Sequence, residues 1–171
     1  MNLEDFGFKG KFVSGAILSD DRKYRYALFR IWDPSERMIV FIGLNPSTAD
    51  ETVDDPTIRR CINYAKAWGY GGLVMLNVFA YRATKPNELL HVEDPVGPEN
   101  EVWIQVYSSW TKKIILCWGT HGALHWQGRK IYKQLDRTKC WCFGYTKGGE
   151  PKHPLYQRKD AVLIPFHLEA D

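Results

Sequence analysis

Four short apolar runs, each followed closely by polar residues, constrain the fold of this chain more than any other feature. They occupy residues 38–44, 73–79, 113–118 and 140–145. Runs of this length and composition predict strands that are buried on both faces, and the segments between them have the apolar spacing of helices. Strands that alternate with helices predict an α/β fold, a three-layer α/β/α sandwich around a central, mostly parallel four-stranded sheet.

The chain opens with two further strand-like runs, at residues 12–18 and 24–32, joined by the turn-rich segment Ser-Asp-Asp-Arg. They predict a β-hairpin, which we treat as an N-terminal extension over residues 1–35. A chain of 171 residues suits one domain and is too short for two ordinary ones, so we expect a single domain over 1–171. Helices are predicted over residues 54–68, 99–112 and 122–137.

Composition excludes several classes of protein. The longest apolar runs are far shorter than the span of about 20 residues that a membrane-crossing helix needs. The first eleven residues lack the basic and apolar stretches of a secretory signal. Without an export signal, the four cysteines predict free thiols in the cytoplasm. His121 and His125 fall on one face of a predicted helix, but no Glu accompanies them as in a zinc protease, so we expect neither a metal nor another cofactor.

The positive charge of the chain is concentrated late in the sequence. The net charge is only +3, yet residues 110–160 hold 11 Lys and Arg against three acidic residues. A basic segment of this kind predicts a phosphate-binding surface, and an ordinary solvated face is the alternative. Aromatic residues make up 14% of the chain and suit either a core or stacking on bases, so composition does not decide between these roles.

The residues that follow the predicted strands form a recognisable set. In a parallel sheet, ligands bind beyond the carboxyl ends of the strands. There the chain has Gly-Leu-Asn-Pro-Ser at 43–47, Val-Met-Leu-Asn at 74–77, Trp-Gly-Thr-His at 118–121 and His-Pro-Leu-Tyr at 153–156. In order and spacing these segments resemble the motifs of the uracil-DNA glycosylase superfamily, in the Asn-bearing version of mismatch-specific and thymine-DNA glycosylases. The surrounding sequence resembles a bacterial and phage branch of that superfamily.

The resemblance implies a monofunctional DNA glycosylase that acts as a monomer on DNA, in base-excision repair or anti-phage defence. Such an enzyme hydrolyses the N-glycosidic bond of a flipped pyrimidine and leaves an abasic site. Asn45 would orient the water, and His153 would donate to the pyrimidine O2. An amide does not take up a proton at neutral pH, so Asp50 or Asp55 is the candidate base. For these carboxylates, favourable charge at a helix N-terminus is the alternative, and for Asn45 the alternative is a turn-forming role before proline.

The predicted base-binding residues are Leu44, Pro46, Ser47 and Asn77. The amide of Asn77 offers a donor and an acceptor, so it can read uracil or, after an amide flip, cytosine; loop capping is its alternative role. Uracil-specific members of the superfamily carry a tyrosine where this chain has Ser47, and serine leaves space at the pyrimidine C5. We therefore hypothesise a C5-modified substrate, such as the hydroxymethylated or glucosylated cytosine of phage DNA, or a mismatched pyrimidine.

The predicted DNA-binding residues surround the last two motifs; they are Thr120, His121, Lys147, Lys152, Leu155, Tyr156, Arg158 and Lys159. Leu155 and Tyr156 stand where the family inserts a side chain into the duplex, with core packing as the alternative. The cations suit phosphate contacts, and helix capping is the alternative for Thr120 and His121. A catalytically inactive nucleic-acid-binding module of the same fold, or a hydrolase of free nucleosides, is the alternative function.

Overall fold

The computed structural model describes residues 12–168. Residues 1–11, for which the sequence predicts the start of the hairpin extension and no secretory signal, lie outside the described residues, as do 169–171. Seven strands are described: β1 (Val13–Leu18), β2 (Arg25–Ile31), β3 (Met38–Gly43), β4 (Gly72–Asn77), β5 (Ile114–Leu116), β6 (Cys140–Cys142) and β7 (Ile164–Pro165). The α-helices are α1 (Pro56–Ala67), α2 (Asn100–Trp110) and α3 (Gln127–Gln134), and short 3₁₀ helices cover Pro86–His91, Thr120–Trp126, Arg137–Lys139 and Pro154–Tyr156.

The strands form one mixed sheet in the order β1-β2-β4-β3-β5-β6-β7. The pairs β3/β4, β3/β5 and β5/β6 are parallel, whereas β1/β2, β2/β4 and β6/β7 are antiparallel. The prediction of a central, mostly parallel four-stranded sheet is therefore wrong. The fold is α/β with a seven-stranded sheet in which parallel and antiparallel pairs are equally common.

The error comes from the N-terminal hairpin, which is an integral part of the sheet. Residues 28–31 of β2 pair antiparallel with residues 72–75 of β4. Most of β2 is buried, including Tyr26, Ala27 and Leu28, and a strand covered on both faces cannot stand as an exposed extension. The seventh strand was missed because Ile164–Pro165 has only two residues, both of them exposed, and carries no readable pattern.

Helices cover both faces of the sheet. Side chains alternate between the faces along each strand, so Ile39 and Phe41 pack with the buried residues of α1, while Val40 and Ile42 pack in the cluster that holds residues of α2 and α3. Helix α1 starts where the sequence predicts, because the Asp55 side chain accepts a hydrogen bond from the Ile58 N–H at 2.9 Å, and Pro56 fills the first turn.

The third predicted helix, over residues 122–137, is interrupted. Thr120–Trp126 is a 3₁₀ segment in which His125 has a φ of 52°, and α3 begins only at Gln127. Gly122 and Gly128 both pack against the indole of Trp118, where an added Cβ on Gly122 would lie 1.8 Å from a ring carbon. The chain bends around this ring, so His121 and His125 do not share one face of a regular helix.

Two further properties concern the described part of the chain. Across residues 12–168, none of the helices has the length and apolar character needed to cross a bilayer. The four cysteines are free and buried, which confirms the prediction of free thiols.

Candidate active site

A cavity of about 880 Å³ opens beyond the carboxyl ends of β3, β4 and β5. The strands are parallel and in register there, with Gly43 of β3 paired to Asn77 of β4, so the loops that follow them converge. All four motif segments contribute to the wall. The sequence-predicted site residues that line the cavity are Leu44, Asn45, Ser47, Asp55, Asn77, Thr120, His121, Lys152, His153, Leu155 and Tyr156.

The amide of Asn45 is held in one orientation. Its nitrogen, Nδ2, donates to the carbonyl oxygens of Pro46 at 2.9 Å and Ala83 at 2.8 Å, which uses both amide protons. A flipped amide would set oxygen against two carbonyl oxygens, so the orientation is fixed by chemistry. The Ala83 N–H also donates to the Pro46 carbonyl at 2.9 Å and closes this small network. The side-chain oxygen of Asn45 is therefore the group left to accept a hydrogen bond from a ligand.

His153 is arranged as a neutral donor. Its Nδ1 accepts a hydrogen bond from the Leu155 N–H at 3.3 Å, so the ring proton of the neutral form sits on Nε2. Burial lowers the pKa of His153 below its ordinary value of 6.5, although the nearby charge of Asp55 acts in the opposite direction. At neutral pH the ring is uncharged and offers one N–H.

The two candidate carboxylates occupy different environments. Asp55 is buried and caps the N-terminus of α1, as the alternative interpretation predicts. It also lines the cavity, so it can act there as well. The Asp50 carboxylate accepts hydrogen bonds from the N–H groups of Thr52 and Val53, which lower its pKa, and Asp50 is not among the lining residues. The structure brings Asp55, and not Asp50, to the cavity.

Arg25 is a cavity residue that the sequence did not reveal. It projects from β2, is only 2% exposed, and lines the cavity. Its Nη1 donates to the Ala49 carbonyl at 3.0 Å and its Nη2 to Oδ1 of Asn77 at 3.2 Å, whereas Nε is buried without a partner among the described residues. Burial lowers the pKa of Arg25 to about 10, opposed by the charge of Asp55, so the guanidinium stays protonated at neutral pH.

A second buried arginine of the same strand holds the loop that follows the first motif. Arg30 donates through Nε to Asp54 at 2.8 Å and through Nη2 to the Asp50 carbonyl at 2.7 Å. Arginine is almost never fully buried unless it has partners. Two arginines in an otherwise apolar strand therefore indicate buried polar partners, and this was the sequence signal that could have revealed the site. The strand was predicted to belong to an N-terminal extension, so neither arginine was a predicted site residue.

The other base-binding residues support the cavity in different ways. Leu44 and Ser47 line it directly, while Pro46 is buried behind the wall and contributes its carbonyl to the Asn45 network. Asn77 accepts from Arg25, and its backbone carbonyl accepts from Nδ2 of Asn100 at 2.9 Å. Asn100, fully buried at the start of α2, is a second supporting residue that the sequence analysis missed.

The predicted DNA-binding residues divide into two groups. Lys152, Leu155 and Tyr156 border the cavity mouth, and Tyr156 is 84% exposed, so the core-packing interpretation is wrong for it. Lys147 is exposed outside the lining. The Arg158 side chain pairs with Asp160 at 3.0 Å, and Lys159 borders a separate cavity of about 570 Å³.

Two further observations concern the last two motifs. Thr120 and His121 open a 3₁₀ helix whose N-cap is Gly119, so the capping interpretation is wrong for them. Gly119 has a φ of 73°, a conformation that favours glycine. The basic segment does not form one surface: Lys113 lies over the ring of Trp141 at 4.5 Å, at the opposite end of β5 from the cavity.

Comparison with known proteins gives a family without an activity. A family model described as "Protein of unknown function (DUF1643)" matches residues 25–155, which include Arg25 and all four motif segments. No curated protein and no solved structure matches the chain. Because the match covers most of the sequence, the chain belongs to the DUF1643 family.

Proposed function

We propose that this protein is a DNA glycosylase that hydrolyses the N-glycosidic bond of a flipped pyrimidine in the cytoplasm. One observation carries the proposal: Asn45, with a fixed acceptor, and His153, with a fixed donor, line the same cavity. These are the two groups that a positioned water and a departing base require. They are 108 residues apart in the sequence, and the fold brings both to the wall of this cavity.

The cavity size favours a base with a substituent. Its volume of about 880 Å³ lies near the top of the range of ~300–1,000 Å³ typical of small-molecule sites, so an unmodified pyrimidine leaves it largely unfilled. Ser47 stands on the wall with a small side chain. Both features support a pyrimidine that carries a group at C5, whether it is correctly paired or mismatched.

The proposed reaction uses groups of the cavity wall. Oδ1 of Asn45 accepts one hydrogen of a water, whose oxygen forms the new bond to C1′ of the sugar. The C1′–N1 bond breaks with its electron pair on the base, and the Nε2–H of His153 donates to O2, where negative charge develops. The carboxylate of Asp55 accepts the proton that the water loses, and the base is finally protonated from solvent.

A covalent route through the buried thiol is disfavoured. Cys117 also lines the cavity, but burial raises the pKa of its thiol far above the ordinary value, which suppresses the nucleophilic thiolate.

At the mouth of the cavity, Tyr156 and Leu155 are exposed next to Lys152. These residues suit a flipped nucleotide, because an apolar side chain can fill the space that the base leaves in the duplex and the Lys152 cation can contact the phosphate.

The test uses oligonucleotides that each carry one uracil or one C5-substituted pyrimidine, scored for alkali-labile breaks. We expect faster breakage at C5-substituted bases, and loss of breakage in Asn45→Ala and His153→Ala. Asn87→Ala and His91→Ala, exposed changes outside the lining residues, are matched controls that keep wild-type activity. Breakage that persists in both cavity variants contradicts the proposal. Salt-sensitive DNA binding without any breakage favours the inactive binding module instead.

A further inference from the structure

Arg25 determines which way the amide of Asn77 faces. A guanidinium only donates hydrogen bonds, so the atom of Asn77 that lies 3.2 Å from Nη2 must be the oxygen. Arg25 cannot move aside easily, because it is buried and also bonded to the Ala49 carbonyl at 3.0 Å. An amide flip at Asn77 would place N–H groups against each other. The amide therefore has one stable orientation.

The opposite edge of the same amide is an unused donor. Nδ2 of Asn77 lies on the side of Gly43, 3.1 Å from where a Cβ on that glycine would stand, and both residues line the cavity. Within residues 12–168 no protein acceptor bonds to this nitrogen. Nε of Arg25 is a buried donor without a protein partner in the same part of the chain. A donor on the cavity wall that a ligand shields from water is costly unless it gains an acceptor, so the wall favours a ligand that presents an acceptor to Nδ2 of Asn77.

We infer that Arg25 is a specificity-determining residue, which makes the cavity select pyrimidines with a carbonyl at C4 over those with an amino group. This inference rests on the proposed function and narrows its substrate. O4 of a uracil-type base accepts the Nδ2–H of Asn77, whereas the N4 amino group of a cytosine-type base sets donor against donor. The small side chain of Ser47 leaves room for a substituent at C5. The substrate class is therefore a uracil-type base with a C5 substituent, not a modified cytosine.

The first experiment compares two substrates with the same C5 group. One duplex carries 5-hydroxymethyluracil opposite G and the other 5-hydroxymethylcytosine opposite A, so that both bases are mispaired. Excision rates are measured under single-turnover conditions. The two bases differ as leaving groups in every variant, so the readout is the ratio of the two rates. In Arg25→Met the amide is free to turn, and we expect the wild-type preference for the uracil-type base to fall by about tenfold.

Arg30→Met is the matched control, because Arg30 is equally buried on the same strand and makes no bond to Asn77. We expect it to leave the ratio of the two rates unchanged. A ratio that is the same in wild type and Arg25→Met, or that falls equally in both variants, overturns the inference.

A second experiment needs neither a stable variant nor any cleavage. Binding of free 5-hydroxymethyluracil and free 5-hydroxymethylcytosine to the wild-type protein is measured by calorimetry. We expect the first base to bind at least about tenfold more tightly. Equal binding, or tighter binding of the cytosine, overturns the inference even if DNA is cleaved. Selective binding of the uracil-type base without cleavage of any substrate contradicts the proposed function and leaves the inference intact.

Discussion

The two sides of the cavity are built differently. The side formed by the loops after β3, β4 and β5 presents neutral groups, such as Asn45 and His153, which are oriented by backbone carbonyl and N–H groups. The side formed by β2 presents the buried cation Arg25, which bonds to Asn77 across 52 residues of sequence. The proposed reacting groups therefore lie at the strand ends and are oriented by backbone groups, whereas the hairpin strand orients Asn77, the residue proposed to select the ligand.

We expect the greatest loss of activity from a change on the side formed by the loops after β3, β4 and β5. His153→Ala removes the donor to the departing base, and loss of one such donor typically lowers the catalytic rate by about 10²–10³-fold. DNA binding measured by fluorescence anisotropy is expected to change little, because Lys152 and Tyr156 at the mouth remain. A variant that loses binding and rate in parallel contradicts a role for His153 in the chemical step.

The two carboxylates offer a matched pair of variants. Asp55→Asn keeps a capping oxygen for α1 but removes the base, so we expect the single-turnover rate to fall by about 10²-fold or more. Asp50→Asn keeps the oxygen that accepts from Thr52 and Val53 and removes a charge outside the cavity lining, so its rate is expected to stay near wild type. Equal losses in both variants would remove the distinction between the two sites.

The difference between the two sides also explains what the sequence allowed us to predict. Asn45, Asn77 and His153 were identified because each follows a buried run or belongs to a recognisable motif. Helix α1 was predicted within two residues of its ends because Asp55 and Pro56 are local start signals. These features depend on neighbours in the sequence.

The structure of the side formed by β2 depends on residues that are distant in the sequence. The pairing of β2 with β4 joins residues more than 40 positions apart, and no local pattern fixes whether a strand pairs parallel or antiparallel. The burial of Arg25 follows from that pairing, as does its bond to Asn77. The interruption before α3 likewise depends on the position of the Trp118 ring against Gly122 and Gly128. A pattern read along the chain contains none of these contacts.

A stability measurement sharpens the contrast. Asp54→Ala removes one partner of the buried Arg30, which keeps its bonds to the Asp50 and Val53 carbonyls. A hydrogen bond to a charged group contributes about 1.5–3 kcal/mol, so we expect the free energy of unfolding in urea to fall by about that amount. The activity of the protein that remains folded is expected to stay within tenfold of wild type, because Asp54 is not a cavity residue. A loss of activity without a loss of stability would contradict a purely supporting role.

A change of pH should affect the two sides of the cavity differently, because His153 titrates at a lower pH than Arg25. Burial lowers the pKa of His153 below 6.5, so the neutral donor persists and the single-turnover rate should change by less than about twofold between pH 7.5 and 6.5.

The same pKa shift makes the stability of the fold depend on pH. In the unfolded chain this histidine has its ordinary pKa of 6.5, so below that pH the unfolded state binds more protons than the folded state. The stability contributed by the neutral ring is therefore lost as the pH falls. Arg25, with a pKa of about 10, stays charged over the same range. Protonation of His153 on Nδ1 breaks the hydrogen bond from the Leu155 N–H that orients the ring, so we expect the rate to decline as the pH falls below 6.5. His153→Gln should remove this part of the decline from the residual activity, and a decline that is unchanged in this variant assigns it to another group.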